Sequence, residues 1–191
     1  LSLKIFSLAC FSTVAAEALG TYLKLEGQVV AEQTNEWVYS IHHYVYFMIV
    51  SYSYYHLLSN DLMCSFIQLL RIAFTAFFVY NCFFGQGIEI YQTVTVVIGG
   101  SLVMMLALAY FWELLNSPLN EKITRDPFFW ISFGLVFSYG GTIPFHGMFN
   151  YLSEKFYDFT VFYQRYVFSG FATILNLLII IGFLCRKNFQ K

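Results

Sequence analysis

Residues 112–130, WELLNSPLNEKITRDPFFW, form the clearest polar break in a chain that is otherwise nearly all apolar. Trp112 and Trp130 flank it, Lys122 and Arg125 charge it, and Pro118 and Pro127 interrupt helix. Aromatic rings at the edges and basic groups between them suit the face of a bilayer. The stretch reads as a short loop between two spanning helices, and it sets the count and direction of the others.

Composition agrees. The chain is 59% hydrophobic, 21% aromatic and 11% charged. Soluble domains average roughly 25% charged and 45–50% apolar residues. So few charges cannot coat a globule in water, and the excess apolar surface calls for lipid. A formal net charge of -1 gives no electrostatic case for nucleic acid, which needs a basic patch. Cys10, Cys64, Cys82 and Cys185 stand singly, without a CxxC pair, so neither zinc nor redox chemistry is signalled. Within these 191 residues no appended kinase, nuclease or ATPase domain is expected. No GxxxxGK[ST] or GxGxxG loop occurs, and no cofactor is implied.

A spanning helix needs about 20 mostly apolar residues at about 1.5 Å each. The sequence predicts an all-α, polytopic transmembrane helix bundle, one domain over 1–191, with six spans: 3–23, 37–58, 62–84, 91–112, 127–150 and 159–185. Asn35 is the expected N-cap of the second span, and Ser59, Asn60 and Asp61 make a tight connection. Gly85-Gln86-Gly87 breaks the chain. Asp126-Pro127 starts the fifth span, with aspartate as cap and proline where its missing N–H is harmless. Residues 151–158 read as a short polar loop. Apolar residues continue around each span rather than along one stripe, as lipid-facing helices require. The chain begins with Leu1 and runs at once into an apolar stretch, with no basic leader; it is expected to start inside a longer protein.

Direction follows from lysine and arginine. With the C-terminus in the cytoplasm, Lys4, Lys122, Arg125, Arg186, Lys187 and Lys191 fall inside, and Lys24, Lys155 and Arg165 outside. That arrangement predicts a multi-pass membrane protein with a cytoplasmic C-terminus.

Polar groups within the spans are the candidate functional residues, because an ionisable group at the bilayer centre costs about 2.5–3.5 kcal/mol on insertion scales. Glu17, His42, His43, Asn81, Gln92, His146, Asn150 and Arg165 all fall near the outer ends of their spans. One level shared by five or six helices predicts a polar ligand pocket opening to the non-cytoplasmic side. The same residue types also bridge helices by hydrogen bonds, and that alternative stays open. Arg71 lies deep in the third span, where it either snorkels or pairs with Glu113. Gly140-Gly141-Thr142-Ile143-Pro144 predicts a kink in the fifth span.

Sharper chemistry is poorly supported. A retinal protein needs a lysine deep in a helix, and every lysine here is terminal or in a loop. Glu17, His42, His43 and His146 offer metal-binding atoms, but adjacent histidines on a helix point about 100° apart. No HExxH spacing and no GxSxG elbow are present. No metal site and no catalytic set are assigned.

Several stretches carry a resemblance: AEALGTYL (16–23), NEWVYSI (35–41), YQTVTVVIGG (91–100), AYFWELL (109–115), 118–152 around DPFFWISFGL, and NLLIIIGFLCRK (176–187). Together they resemble a group of uncharacterised heptahelical membrane proteins of Bacteroidetes-type bacteria. The resemblance covers essentially the whole chain. It implies one further helix upstream, making seven in all, and it implies no activity.

The function expected from the residues is a non-catalytic sensory or ligand-binding membrane module. Its partners would be membrane lipids, a small ligand or lipid, and a protein in the membrane or cytoplasm. A lipid-acting intramembrane enzyme, a transporter and an accessory subunit are the alternatives.

Overall fold

The computed structural model describes residues 1–27, 36–88, 91–116 and 123–185. Asn35, Pro118, Lys122, Arg186, Lys187 and Lys191, all invoked above, lie outside the described residues. The described residues are all-α, with no strand among them: α1 (Ser2–Gly27), α2 (Glu36–Tyr55), α3 (Asp61–Phe84), α4 (Thr93–Asn116), α5 (Pro127–Lys155), α6 (Tyr157–Phe162) and α7 (Ser169–Cys185). A π-helical turn, Tyr163–Phe168, joins α6 to α7 without a break. Among the described residues this gives six long helices, as the spans predict. Five are long and apolar enough to cross a membrane; α2 is the exception. Serines, histidines and tyrosines lower the hydropathy of α2, and Ser40, Ser51 and Ser53 are buried.

Helix starts follow local chemistry. The Asn60 side chain accepts hydrogen bonds from the backbone N–H groups of Leu62 (2.9 Å) and Met63 (3.3 Å), which otherwise lack partners at a helix start. Asp126 does the same for Phe128 (2.8 Å), with Pro127 at the first helical position. Between α4 and α5, residues Ile123–Arg125 form a 3₁₀ turn, and Trp130 Nε1 donates to the Thr124 carbonyl (2.8 Å). Asp126→Ala should remove about 1 kcal/mol of stability, read as a lower unfolding midpoint in detergent; an unchanged midpoint would mean the cap is replaceable.

Two expectations are corrected. Residues 151–158 are helical on both sides of Phe156 rather than a loop. Ser153, Glu154, Lys155 and Asp158 made the stretch look like a connection, but without glycine or proline nothing in it forbids helix. The second span, expected over 37–58, ends as helix at Tyr55.

The chain divides into two compact units, Leu1–Gly99 and Gly100–Lys191, with α4 running from the first into the second. In the first, α2 packs against α1 and α3. Phe6, Ala9, Phe47, Val50, Tyr54, Ile67 and Phe74 are buried there. The Tyr44 ring stacks on Phe78 (centroids 4.6 Å) and Phe47 meets Phe74 at 4.3 Å. In the second unit, α5 and α7 pack closely. Small residues set that contact, as expected where lipid gives helices no hydrophobic reason to associate. A Cβ on Gly182 would stand 2.7 Å from the Pro127 carbonyl oxygen, and one on Gly141 would run into the Phe171 ring. α5 stays helical through Pro144, which cannot donate to the carbonyl of Gly140. At the next carbonyl, Gly141 accepts from the Tyr163 hydroxyl (3.2 Å).

Candidate functional site

Of the eight residues proposed to share a pocket, Glu17, His42, His43, Asn81 and Gln92 belong to the first unit. His146, Asn150 and Arg165 belong to the second.

In the first unit, one face of α1 meets one face of α2. Thr13, Glu17 and Gly20 recur at helical spacing, as do Tyr39, His42 and Tyr46, so each set lines one side of its helix. His42 Nε2 lies 3.2 Å from Thr13 Oγ1. One turn along, the Tyr39 hydroxyl donates to Glu17 Oε2 at 3.4 Å. Gly20 makes that possible: a Cβ there would lie 2.7 Å from the Tyr39 oxygen, so glycine lets the ring rest on the α1 backbone. The two histidines diverge, as adjacent residues on a helix must. His42 faces Thr13, whereas the His43 ring approaches Tyr91 edge-on at 6.2 Å. Glu17 itself is exposed on α1.

Asn81 and Gln92 form a different structure, a clasp over the bend between α3 and α4. Gly87 takes a left-handed backbone there (φ 79°), a region glycine enters without a Cβ clash. Asn81 Nδ2 donates to Thr95 Oγ1 (2.9 Å), and its Oδ1 accepts from the Gln86 backbone (3.0 Å). Thr95 donates to Gln92 Oε1 (2.9 Å), while Gln92 Nε2 donates to the Gly87 carbonyl (2.6 Å). Gln86 adds bonds to Thr93 Oγ1 (2.9 Å) and the Val94 N–H (3.0 Å). Gln92 and Thr95 are fully buried. The polar atoms of this clasp are directed at one another.

A second polar line joins α2 to α3. Tyr44 and Thr75 hydroxyls lie 3.2 Å apart, and Thr75 donates to the Arg71 carbonyl (2.8 Å). The Arg71 guanidinium donates to Gln68 Oε1 (3.0 Å) and sits over the Tyr52 ring, 5.1 Å from its centroid. Arg71 belongs to the first unit and Glu113, its expected partner, to the second. Tyr39, Thr13, Tyr52 and Gln68 were not singled out from sequence. Thr13, Tyr39 and Gln68 stand at helical spacing from Glu17, His42 and Arg71, whereas Tyr52 is on a different helix from Arg71 and has no such signal.

In the second unit, the His146 ring meets Phe168 edge-on at 5.3 Å, and Phe145 stacks on Tyr163 at 3.8 Å. Asn150 and Arg165 are exposed, the latter on the π-helical turn. Among the described residues no three histidine, cysteine, aspartate or glutamate side chains are grouped to hold a metal ion. No family model, curated protein or solved structure matches the chain, so the heptahelical resemblance rests on the sequence stretches alone.

Proposed function

We propose that this multi-pass membrane protein is a sensory or ligand-binding module of a bacterial inner membrane, with its C-terminus in the cytoplasm. A small ligand or lipid would bind at the α1–α2 seam and shift the two helices relative to each other. The observation that supports this reading is Glu17. It is exposed within an apolar helix, and its hydrogen bond among the described residues is a long one to Tyr39. A carboxylate at that depth is costly, and ionisable groups in spans mark ligand or ion sites by default. The ligand chemistry that complements it is a cation or a strong hydrogen-bond donor, with Tyr39 and the Thr13–His42 pair beside it.

Native mass spectrometry of the full-length protein in mild detergent tests this. The wild type should carry a retained small molecule or lipid. Glu17→Gln keeps the shape, removes the charge and should lower retention about tenfold, the effect of losing one charge-assisted hydrogen bond. Glu26→Gln should leave it unchanged. Equal retention by wild type and Glu17→Gln, or a bare wild-type chain, would overturn the reading.

A further inference from the structure

The strongest unexplained feature outside the α1–α2 seam is a groove of about 770 Å³ along α3, open on one side. Its floor and walls come from Met48, Ile72, Ala76, Val79 and Phe84, and Arg71 stands at one end. The guanidinium has five N–H donors. Among the described residues its contacts are Gln68 and the Tyr52 ring, neither an anion. Its Nε is buried without any hydrogen-bond partner. A permanent cation and an apolar trough, with no carboxylate on the guanidinium among the described residues, make a site with one charge missing.

Geometry says how the missing charge would arrive. α3 has 24 residues, about 36 Å at 1.5 Å per residue, against a hydrocarbon core of about 30 Å. Its ends therefore reach the interfaces. Arg71 begins about 15 Å from the Asp61 end, but its side chain leans back that way. Gln68 precedes it by three residues, and Tyr52 lies near the C-terminal end of α2, which meets the start of α3: Cys64 Sγ contacts the Tyr55 and Leu58 carbonyls at 3.5 Å. Gln68 and the Tyr52 ring together hold the guanidinium toward that interface. From there the trough continues along α3 past the bilayer midplane, an apolar bed for an acyl chain that reaches in from the headgroup.

We propose that the α3 groove binds one anionic phospholipid, its phosphate on the Arg71 guanidinium and one acyl chain along α3 toward Phe84. The planar guanidinium matches phosphate oxygens two at a time, and basic positions between spanning helices are known to select anionic headgroups. The proposal is independent of the ligand at Glu17, whose residues it does not share.

The test reconstitutes the full chain in nanodiscs of phosphatidylcholine doped with phosphatidylglycerol and counts retained lipids by native mass spectrometry. Wild type should retain phosphatidylglycerol at least about tenfold over phosphatidylcholine of equal chain length. Arg71→Gln should abolish the preference. Ala76→Trp, at an exposed position, should block the trough and displace the lipid without disturbing helix content or unfolding. Arg71→Lys should fall between, because lysine offers a point charge rather than a fork. No headgroup preference in the wild type, an unchanged preference in Arg71→Gln, or displacement by an equimolar fatty acid would overturn it.

Discussion

Gly182→Val should separate α7 from α5 and give the largest loss of stability of any single α7 glycine substitution. The new Cβ would meet the Pro127 carbonyl oxygen at 2.7 Å and Ile131 Cγ1 at 3.0 Å. The first of these is backbone at a capped helix start and cannot rotate away. The helices must part, and each small-residue contact along the seam loosens with them. Forcing extra volume into a packed site costs about 1–3 kcal/mol, occasionally more, and the upper end applies where the obstacle is backbone. Gly140→Val is the control: a Cβ there meets nothing within 4 Å. Thermal unfolding in detergent should show a clear drop for Gly182→Val and little change for Gly140→Val. Equal midpoints would mean that α5 and α7 do not approach this closely.

Gln92→Leu should be the second severe change. Leucine fills a similar volume, so the effect isolates hydrogen bonding. It would orphan the Gly87 carbonyl and the Thr95 hydroxyl donor in a fully buried position. A buried polar group left unsatisfied costs about 1–3 kcal/mol. Hydrogen bonds between membrane helices average less, about 0.6 kcal/mol, because the unfolded chain in lipid also finds partners. Two groups are lost at one turn, so about 2 kcal/mol is expected. The double variant Gln92→Leu/Thr95→Val should lose less than the sum of the singles, since the second change removes the orphaned donor. Strict additivity would show that the two side chains do not interact.

Much of the fold could be read from residues. Long apolar stretches, the Ser59-Asn60-Asp61 connection, the Asp126 cap and the glycines at 85 and 87 place the helices within a few residues, because each is a local signal. The failures are also local. Ser153, Glu154 and Lys155 read as loop on polarity, although polar residues continue a helix as readily as they end one. The π-helical turn at Tyr163–Phe168 has no sequence signature, since it depends on how the chain between α5 and α7 closes. The candidate sites were legible in part. Depth along a helix singled out Glu17, His42 and Arg71. It could not show that Asn81 and Gln92 are tied into one network through Thr95, because both sit at similar depth to Glu17 and only the bend between α3 and α4 brings Thr95 and Gly87 to them. Helical spacing from Glu17 would have found Thr13 and Gly20. Tyr52 beneath Arg71 required the antiparallel register of α2 and α3, which no local pattern supplies.

All of these readings depend on the exposed apolar faces meeting acyl chains. Leu69 on α3 is 61% exposed and Leu177 on α7 is 54% exposed, and in water such faces would be an aggregation liability. Nitroxide labels at Leu69→Cys and Leu177→Cys, with Cys10, Cys64, Cys82 and Cys185 replaced, would report their surroundings in nanodiscs by collision with oxygen and with a water-soluble nickel complex. High oxygen and low nickel accessibility at both positions is the predicted result. High nickel accessibility would place these faces in water and contradict a membrane-spanning bundle.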